Sequence, residues 1–187
     1  MKFAKLGFKT KEGLSLANFQ DGWSMEYGEG GSYHCDLLYN GKKVCELCEE
    51  GNGGPIMTYN LADKETMKNV EKAILDYLVR TNEDYGPNTK YKFCLEAVEK
   101  GKATDCEYST LANDLIDEYE KRKNFAKYIK KGYKLVGIFN LGWTNTIVAT
   151  CGDENHLREY AKSKNIKGYL TCYTREQAQD YLDNKII

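Results

Sequence analysis

A hairpin signal between residues 32 and 49 constrains the fold more than any other feature of the sequence. Two strand-like runs, residues 32–39 and 42–49, flank the dipeptide Asn40-Gly41. Asn-Gly favours a type I′ turn, because both central residues of that turn need positive φ. A further apolar run, 56–59, follows a Gly-rich turn. Residues 32–60 therefore predict an antiparallel β-meander, and we expect two more strands upstream, at 14–19 and 23–27.

Helix and strand signals alternate through the rest of the chain. Asp63 is placed to cap a helix that ends near residues 80–82, and apolar residues at helical spacing follow it. A long helix is predicted over 109–131. Residues 89–106 give no single clear signal, and they fit a strand over 91–98 that leads into a short helix ended by Gly101. The last 56 residues predict β-β-α-β-α, with helices capped by Asp153 and by a Thr174–Gln177 capping box.

The predicted fold class is α+β. It comprises an N-terminal antiparallel β-meander with a packed helix, then a long helix and a β-β-α-β-α C-terminal part. Residues 81–88 have the composition of a loop, with Asn, Gly and Pro together. We therefore predict two domains, 1–86 and 87–187.

Charge and cysteine content exclude several classes of protein. The 187 residues carry 27 basic and 28 acidic side chains, a net charge of −1, which argues against a general polyanion binder and against an acidic DNA mimic. No apolar run approaches the roughly 20 residues of a membrane span, and the first residues lack a signal-peptide pattern. We expect a protein of the bacterial host cytoplasm with no membrane association. The chain has seven cysteines, an odd number, and we expect them to be reduced thiols.

Cys45 and Cys48 form the only Cys-x-x-Cys pair. Both lie in a strand-like run, and residues three apart on a strand point to opposite faces. Such a pair cannot chelate one metal ion without a turn between them, so we expect no metal site, and no motif predicts a cofactor.

The second half of the long helix is the strongest candidate for a partner-binding surface. Cations and aromatic rings alternate there, and this mixture suits RNA because cations neutralise phosphates while rings stack on bases. The candidate residues are Lys121, Arg122, Lys123, Lys127, Tyr128, Lys130 and Lys131.

Two tryptophans and one histidine provide the remaining candidates. Trp23 and Trp143 each follow a glycine in a predicted loop, where a large ring either packs or anchors a partner. His34 and Asp36 share one face of a strand, and Glu46 is predicted to lie across the hairpin. A histidine with two carboxylates suits general acid–base chemistry on RNA or a nucleotide.

The segments Leu38-Tyr39-Asn40-Gly41-Lys42-Lys43-Val44 and Glu49-Glu50-Gly51-Asn52-Gly53-Gly54 carry a resemblance to a known group. This pattern resembles an N-terminal module of small phage and plasmid proteins, in which a strand, NGKKV, a second strand and DGNGG recur. Some of these proteins are anti-CRISPR inhibitors of the RNA-guided nuclease of type II systems. The resemblance covers roughly residues 13–60 and supplies no catalytic residues.

The resemblance implies a phage-encoded anti-defence protein that inhibits a bacterial immune complex. Its partners would be a bacterial defence protein or ribonucleoprotein, such as an RNA-guided nuclease, its guide RNA, or both. The sequence favours a non-enzymatic protein. The alternative is a small RNA- or nucleotide-processing enzyme that uses His34, Asp36 and Glu46. Neither interpretation specifies an oligomeric state.

Overall fold

The computed structural model describes the backbone of residues 2–5, 7–23, 31–50, 56–140 and 145–187, and the side chains of 7–20, 32–50, 56–140 and 146–187. Five strands come first: β1 Lys2–Lys5, β2 Leu14–Trp23, β3 Gly31–Tyr39, β4 Lys42–Glu49 and β5 Met57–Tyr59. Three helices follow: α1 Lys64–Thr81, α2 Lys92–Lys100 and α3 Asp105–Lys130, with a 3₁₀ turn at Glu83–Tyr85. The C-terminal part comprises β6 Leu135–Asn140, β7 Asn145–Thr150, α4 Glu154–Ser163, β8 Tyr169–Thr174 and α5 Arg175–Asp183.

These elements confirm the predicted α+β fold class. The chain forms two compact units, one of residues Met1–Ile116 with Ile186–Ile187 and the other of Asp117–Lys185. The division falls within α3, whereas the sequence predicts a boundary at residue 86. Residues just beyond 86 belong with the first unit, where Cys94, Ala97 and Ala103 are buried.

The first unit contains a five-stranded antiparallel sheet in the order β1-β2-β3-β4-β5. Asn40 and Gly41 both have positive φ, 50° and 81°, as the predicted turn between β3 and β4 requires. Helix α1 packs against β2 and β4, and its predicted apolar residues are buried. The side chain of Asp63 accepts hydrogen bonds from the amides of Glu65 and Thr66, which confirms it as the cap of α1.

Three local predictions for the first unit differ from the structure. Strand β1 is an additional strand, and β2 continues through Asp21 and Gly22 where the sequence predicts a break. Beyond Trp23, the predicted strand 23–27 lies outside the described residues. A bulge in β2, with Asn18 at φ 50°, lets the strand continue with altered register. Residues 92–100 form a helix where the sequence predicts a strand over 91–98, and Gly101 ends this helix, as predicted, with a left-handed φ of 61°.

The second unit, residues 117–185, contains a three-stranded antiparallel sheet in the order β7-β6-β8. One face of β6 packs Val136 and Ile138 with Phe125 of α3 and Ala178 of α5. The other face packs Phe139 with Leu157 and Ala161 of α4. Alternation along β6 therefore gives this small sheet two apolar faces, each covered by helix, and the predicted order β-β-α-β-α is confirmed.

None of the described helices has the length and apolar character needed to cross a membrane.

Candidate nucleic-acid interface

Positive charge is concentrated in the second unit. Residues 117–185 contain 13 basic and nine acidic side chains, a net charge of +4, whereas the rest of the chain carries −5. No acidic residue occurs between Lys121 and Gly152. The chain therefore contains a basic region although its total charge is nearly balanced, and this region begins in the second half of α3.

The predicted cations at the C-terminal end of the long helix divide into two groups. Lys123, Lys127, Lys130 and Lys131 are exposed, and we call these four the lysine cluster. Lys123 also pairs with Glu120, at 2.8 Å between Nζ and Oε1. The other two predicted cations, Lys121 and Arg122, are covered by the protein itself.

Arg122 is buried, with 8% of the residue exposed. Its Nε donates to Oε1 of Glu118 at 2.6 Å, and Nη1 donates to the carbonyl of Asn184 at 2.8 Å. Lys121 lies with Nζ 4.3 Å from the ring centroid of Tyr181. Burial lowers the pKa of Lys121, because a charged amine loses hydration there. Both side chains therefore serve packing within the second unit, in contrast to the solvated lysine cluster.

A cavity of about 340 Å³ opens beside the C-terminal end of α3. We call it the aromatic groove, and it lies within the second unit. It is lined by residues 148–150 of β7, Leu157, and the rings of Tyr128, Tyr133, Tyr160 and His156.

Two interactions hold the rings on the α3 side. The hydroxyl of Tyr128 donates to the carbonyl of Ile147 on β7 at 3.2 Å. The ring of Tyr133 meets that of Tyr128 edge-on, with centroids 5.6 Å apart and an interplanar angle of 89°. Burial raises the pKa of Tyr128, and the nearby phenols of Tyr133 and Tyr160 raise it further. Three phenol rings thus surround one space.

The opposite wall of the groove comes from α4. Asp153 and His156 form a capping box at the start of this helix, with Nδ1 of His156 2.9 Å from Oδ1 of Asp153. Hydrogen bonds from the side chain and then the backbone of His156 lower the pKa of Asp153. The cap fixes the first turn of α4, and Tyr160 lies one turn later on the same side.

His34, Asp36 and Glu46 lie together on the first unit's sheet, as β3–β4 pairing predicts. Asp36 is directly opposite Glu46, and Nε2 of His34 is 3.5 Å from Oε2 of Glu46. Lys43 contacts both carboxylates, at 2.9 Å from Asp36 Oδ1. Asn18 of the β2 bulge donates to Oδ2 of Asp36 at 2.6 Å. These contacts neutralise the two carboxylates with the protein's own groups.

The hydrogen bond from Lys43 is the main cause of a lowered pKa at Glu46, with smaller contributions that include His34. A carboxylate with a lowered pKa is a weaker general base near neutral pH. Among the described residues, no group of three His, Cys, Asp or Glu side chains is placed to hold a metal ion. The geometry of this cluster is therefore that of an ion-pair network.

The predicted tryptophan anchors lie beyond what the structure describes. Trp23 is the last residue of β2 and pairs with Gly31, but its side chain is outside the described residues. Trp143 is wholly outside them.

The residues that α4 contributes to the groove are not among those predicted from the sequence. His156 and Tyr160 are one helical turn apart, so they share a face of α4, and this spacing is visible in the sequence. Their proximity to Tyr128 depends on the pairing of β6 with β7, which no single segment reveals.

The chain matches no family model, no curated protein and no solved structure.

Proposed function

We propose that the protein is a non-enzymatic phage protein that inhibits a bacterial immune complex by binding its ribonucleoprotein. An RNA-guided nuclease with its guide RNA is the partner we favour. The observation that carries the proposal is the lysine cluster, because four exposed cations lie within nine residues of the stretch 121–152, which contains no acidic residue.

Charge segregation explains how a protein of net charge −1 would bind RNA. Phosphates are neutralised locally, since interactions between exposed charges are largely screened beyond about 8 Å at physiological salt. The second unit has a net charge of +4, which favours such a partner. Binding through this unit is therefore favourable although the whole chain is slightly acidic.

Binding is better supported than catalysis. The carboxylates of Asp36 and Glu46 are engaged by Lys43, and the lowered pKa of Glu46 disfavours proton abstraction near neutral pH. The lysine cluster has the opposite character, because its cations are exposed at a helix end. Exposed cations suit contacts with phosphates.

The experiment compares two charge-reversed proteins. One carries Lys123→Glu, Lys127→Glu and Lys130→Glu; its matched control carries Lys42→Glu, Lys64→Glu and Lys68→Glu, which are exposed lysines of the first unit. Each tagged protein is used to capture an RNA-guided nuclease from a bacterial strain that expresses it, over a series of salt concentrations.

We expect wild type and control to capture the nuclease and its guide RNA, and the first variant to lose capture. Loss of three phosphate contacts also lowers the salt slope of RNA binding by about 2, at roughly 0.7 per contact for a single strand. Equal capture by the two variants would contradict the role of the lysine cluster. Guide-RNA cleavage that disappears in His34→Ala would favour the enzymatic alternative.

A further inference from the structure

We infer that the aromatic groove is a binding site for one unpaired base of a single-stranded RNA, with the neighbouring phosphates on adjacent lysines. This inference rests on the proposed function, because it specifies how the second unit would recognise RNA.

The size and lining of the groove suit one aromatic base. Its volume of about 340 Å³ is at the lower end of the range for small-ligand pockets. Tyr128, Tyr133 and Tyr160 surround the space, and every nucleobase has a flat π-face that stacks on such rings. A site built from aromatic rings therefore accepts any of the four bases.

Two of the three tyrosine rings are held in place before any ligand arrives. The hydroxyl of Tyr128 is bonded to the carbonyl of Ile147, and Tyr133 packs edge-on against Tyr128. Tyr160 is 44% exposed, so its ring is also accessible to a ligand from solvent. Preorganised walls reduce the entropy lost on binding.

A lysine residue adjoins each wall of the groove, one of the three through its side chain and two through the backbone. On the α3 side, Nζ of Lys127 lies 5.7 Å from the ring centroid of Tyr128. On the β7 side, the amide of Lys134 donates to the carbonyl of Thr150 at 3.1 Å, and the Lys134 side chain is exposed. On the α4 side, the amide of Lys164 donates to the carbonyl of Tyr160 at 3.1 Å.

Acidic groups near the groove are fewer than basic ones. Asp153 is engaged by His156, and Glu154 pairs with Arg158. Glu159 is exposed on α4 beside Tyr160. Between residues 121 and 167 there are 11 basic and three acidic side chains, so the surroundings favour a polyanion over a neutral or cationic peptide.

A single strand fits this combination better than a duplex. Bases in an RNA duplex are stacked inside the helix, whereas unpaired bases can turn out and stack on aromatic side chains. A duplex would contact the lysines alone and would leave the groove empty.

The test uses an unstructured RNA oligonucleotide with one 2-aminopurine, whose fluorescence falls when the base stacks on a ring. The variants are Tyr160→Ala and Tyr160→Phe. The matched control is Tyr169→Ala, which removes an 89% exposed tyrosine of the same unit that does not line the groove.

We expect wild type, Tyr160→Phe and Tyr169→Ala to quench the fluorescence, and Tyr160→Ala to bind roughly 10-fold more weakly with reduced quenching. Thermal unfolding of each variant verifies the fold, and Tyr160→Phe keeps the test valid if Tyr160→Ala does not fold. The same RNA as a duplex should bind without dependence on Tyr160.

Three results would overturn the inference: absence of quenching, equal quenching by Tyr160→Ala and wild type, or full competition by an acidic peptide of equal charge. The last result would indicate a protein partner. If quenching depends on Tyr160 but no nuclease is captured, the base site is retained and the proposed function is rejected. Conversely, lysine-dependent capture without quenching would retain the function and reject the base site.

Discussion

Arg122 and Glu118 form an ion pair within α3, with 2.6 Å between Nε and Oε1 and with side chains only 9% and 14% exposed. The other oxygen of Glu118 accepts a hydrogen bond from the hydroxyl of Tyr181 on α5. Arg122 also binds the carbonyl of Asn184, just beyond α5. The pair thus joins two helices of the second unit, although the sequence predicts Arg122 as a partner contact.

We predict that Arg122→Met destabilises the protein by about 3 kcal/mol, because removal of one partner leaves a desolvated carboxylate at Glu118. Lys123→Met is the control. It removes the exposed ion pair between Lys123 and Glu120, which should contribute less than about 1 kcal/mol to the free energy of unfolding. Urea unfolding followed by circular dichroism measures both free energies. If Arg122→Met were as stable as wild type, the pair would have no structural role.

Helical rotation explains why the sequence could not separate these two neighbours. Consecutive residues on a helix are rotated by about 100°, so one of Arg122 and Lys123 can be buried while the other is exposed. The same applies to Phe125, which is fully buried, and its neighbour Ala126, which is exposed. The orientation of the helix is set by packing against the sheet, and composition alone does not encode it.

Local signals, in contrast, suffice at the starts of α1 and α5. Asp63 and Thr174 were identified as caps because the bonds they make are within three residues. One comparable signal was missed at Thr104–Glu107, and α3 therefore begins at Asp105 instead of residue 109. The aromatic groove depends on strand pairing across the second unit, so only the basic part of the candidate site was predictable.

Glu107 provides a second prediction, at the start of α3. Its carboxylate is 1% exposed and accepts hydrogen bonds from the amide and hydroxyl of Thr104 and from the hydroxyl of Tyr85, the last at 2.9 Å. Burial and then the bond to Glu107 raise the pKa of Tyr85. We expect Tyr85→Phe to cost about 1–3 kcal/mol, because one carboxylate oxygen loses its buried donor.

The control for Tyr85→Phe is Tyr91→Phe, at a tyrosine that is 36% exposed. In thermal unfolding, the midpoint temperature of this control should be close to the wild-type value. The midpoint temperature of Tyr85→Phe should be lower. Equal midpoints for the two variants would contradict the importance of the buried bond.

Gly137 provides a third prediction, in the centre of β6. A Cβ at this position would lie 2.8 Å from Cδ1 of both Leu157 and Leu170, closer than side chains pack. Gly137→Val should therefore destabilise the protein by about 1–3 kcal/mol through overpacking. Thr171→Ala, at an exposed position of the neighbouring strand β8, is the control. Chemical unfolding should separate the two variants, and a Gly137→Val protein of wild-type stability would show that α4 can move away freely.

Acid sensitivity of the first unit gives the last prediction, at Glu12 and Arg80. Oε1 and Oε2 of Glu12 accept from Nε and Nη2 of Arg80 at 2.8 and 3.0 Å. Burial opposes the charged form of Glu12, but hydrogen bonds from Arg80, the backbone and Thr10 outweigh it, and the pKa is lowered.

A carboxyl with a pKa lower in the folded than in the unfolded state stabilises the protein above its unfolded pKa, about 4.3 for Glu, and loses this contribution as the pH falls through the folded pKa. Glu12→Gln should therefore be less stable than wild type near pH 7, by about 1 kcal/mol because solvent screens the pair. The difference should diminish below about pH 4. Glu99→Gln, at an exposed carboxylate of α2, is the control in urea titrations at both pH values. The difference in unfolding free energy between wild type and Glu12→Gln would persist unchanged in acid only if the packing of the Glu12 side chain, and not its charge, accounts for its contribution; that result would contradict the prediction.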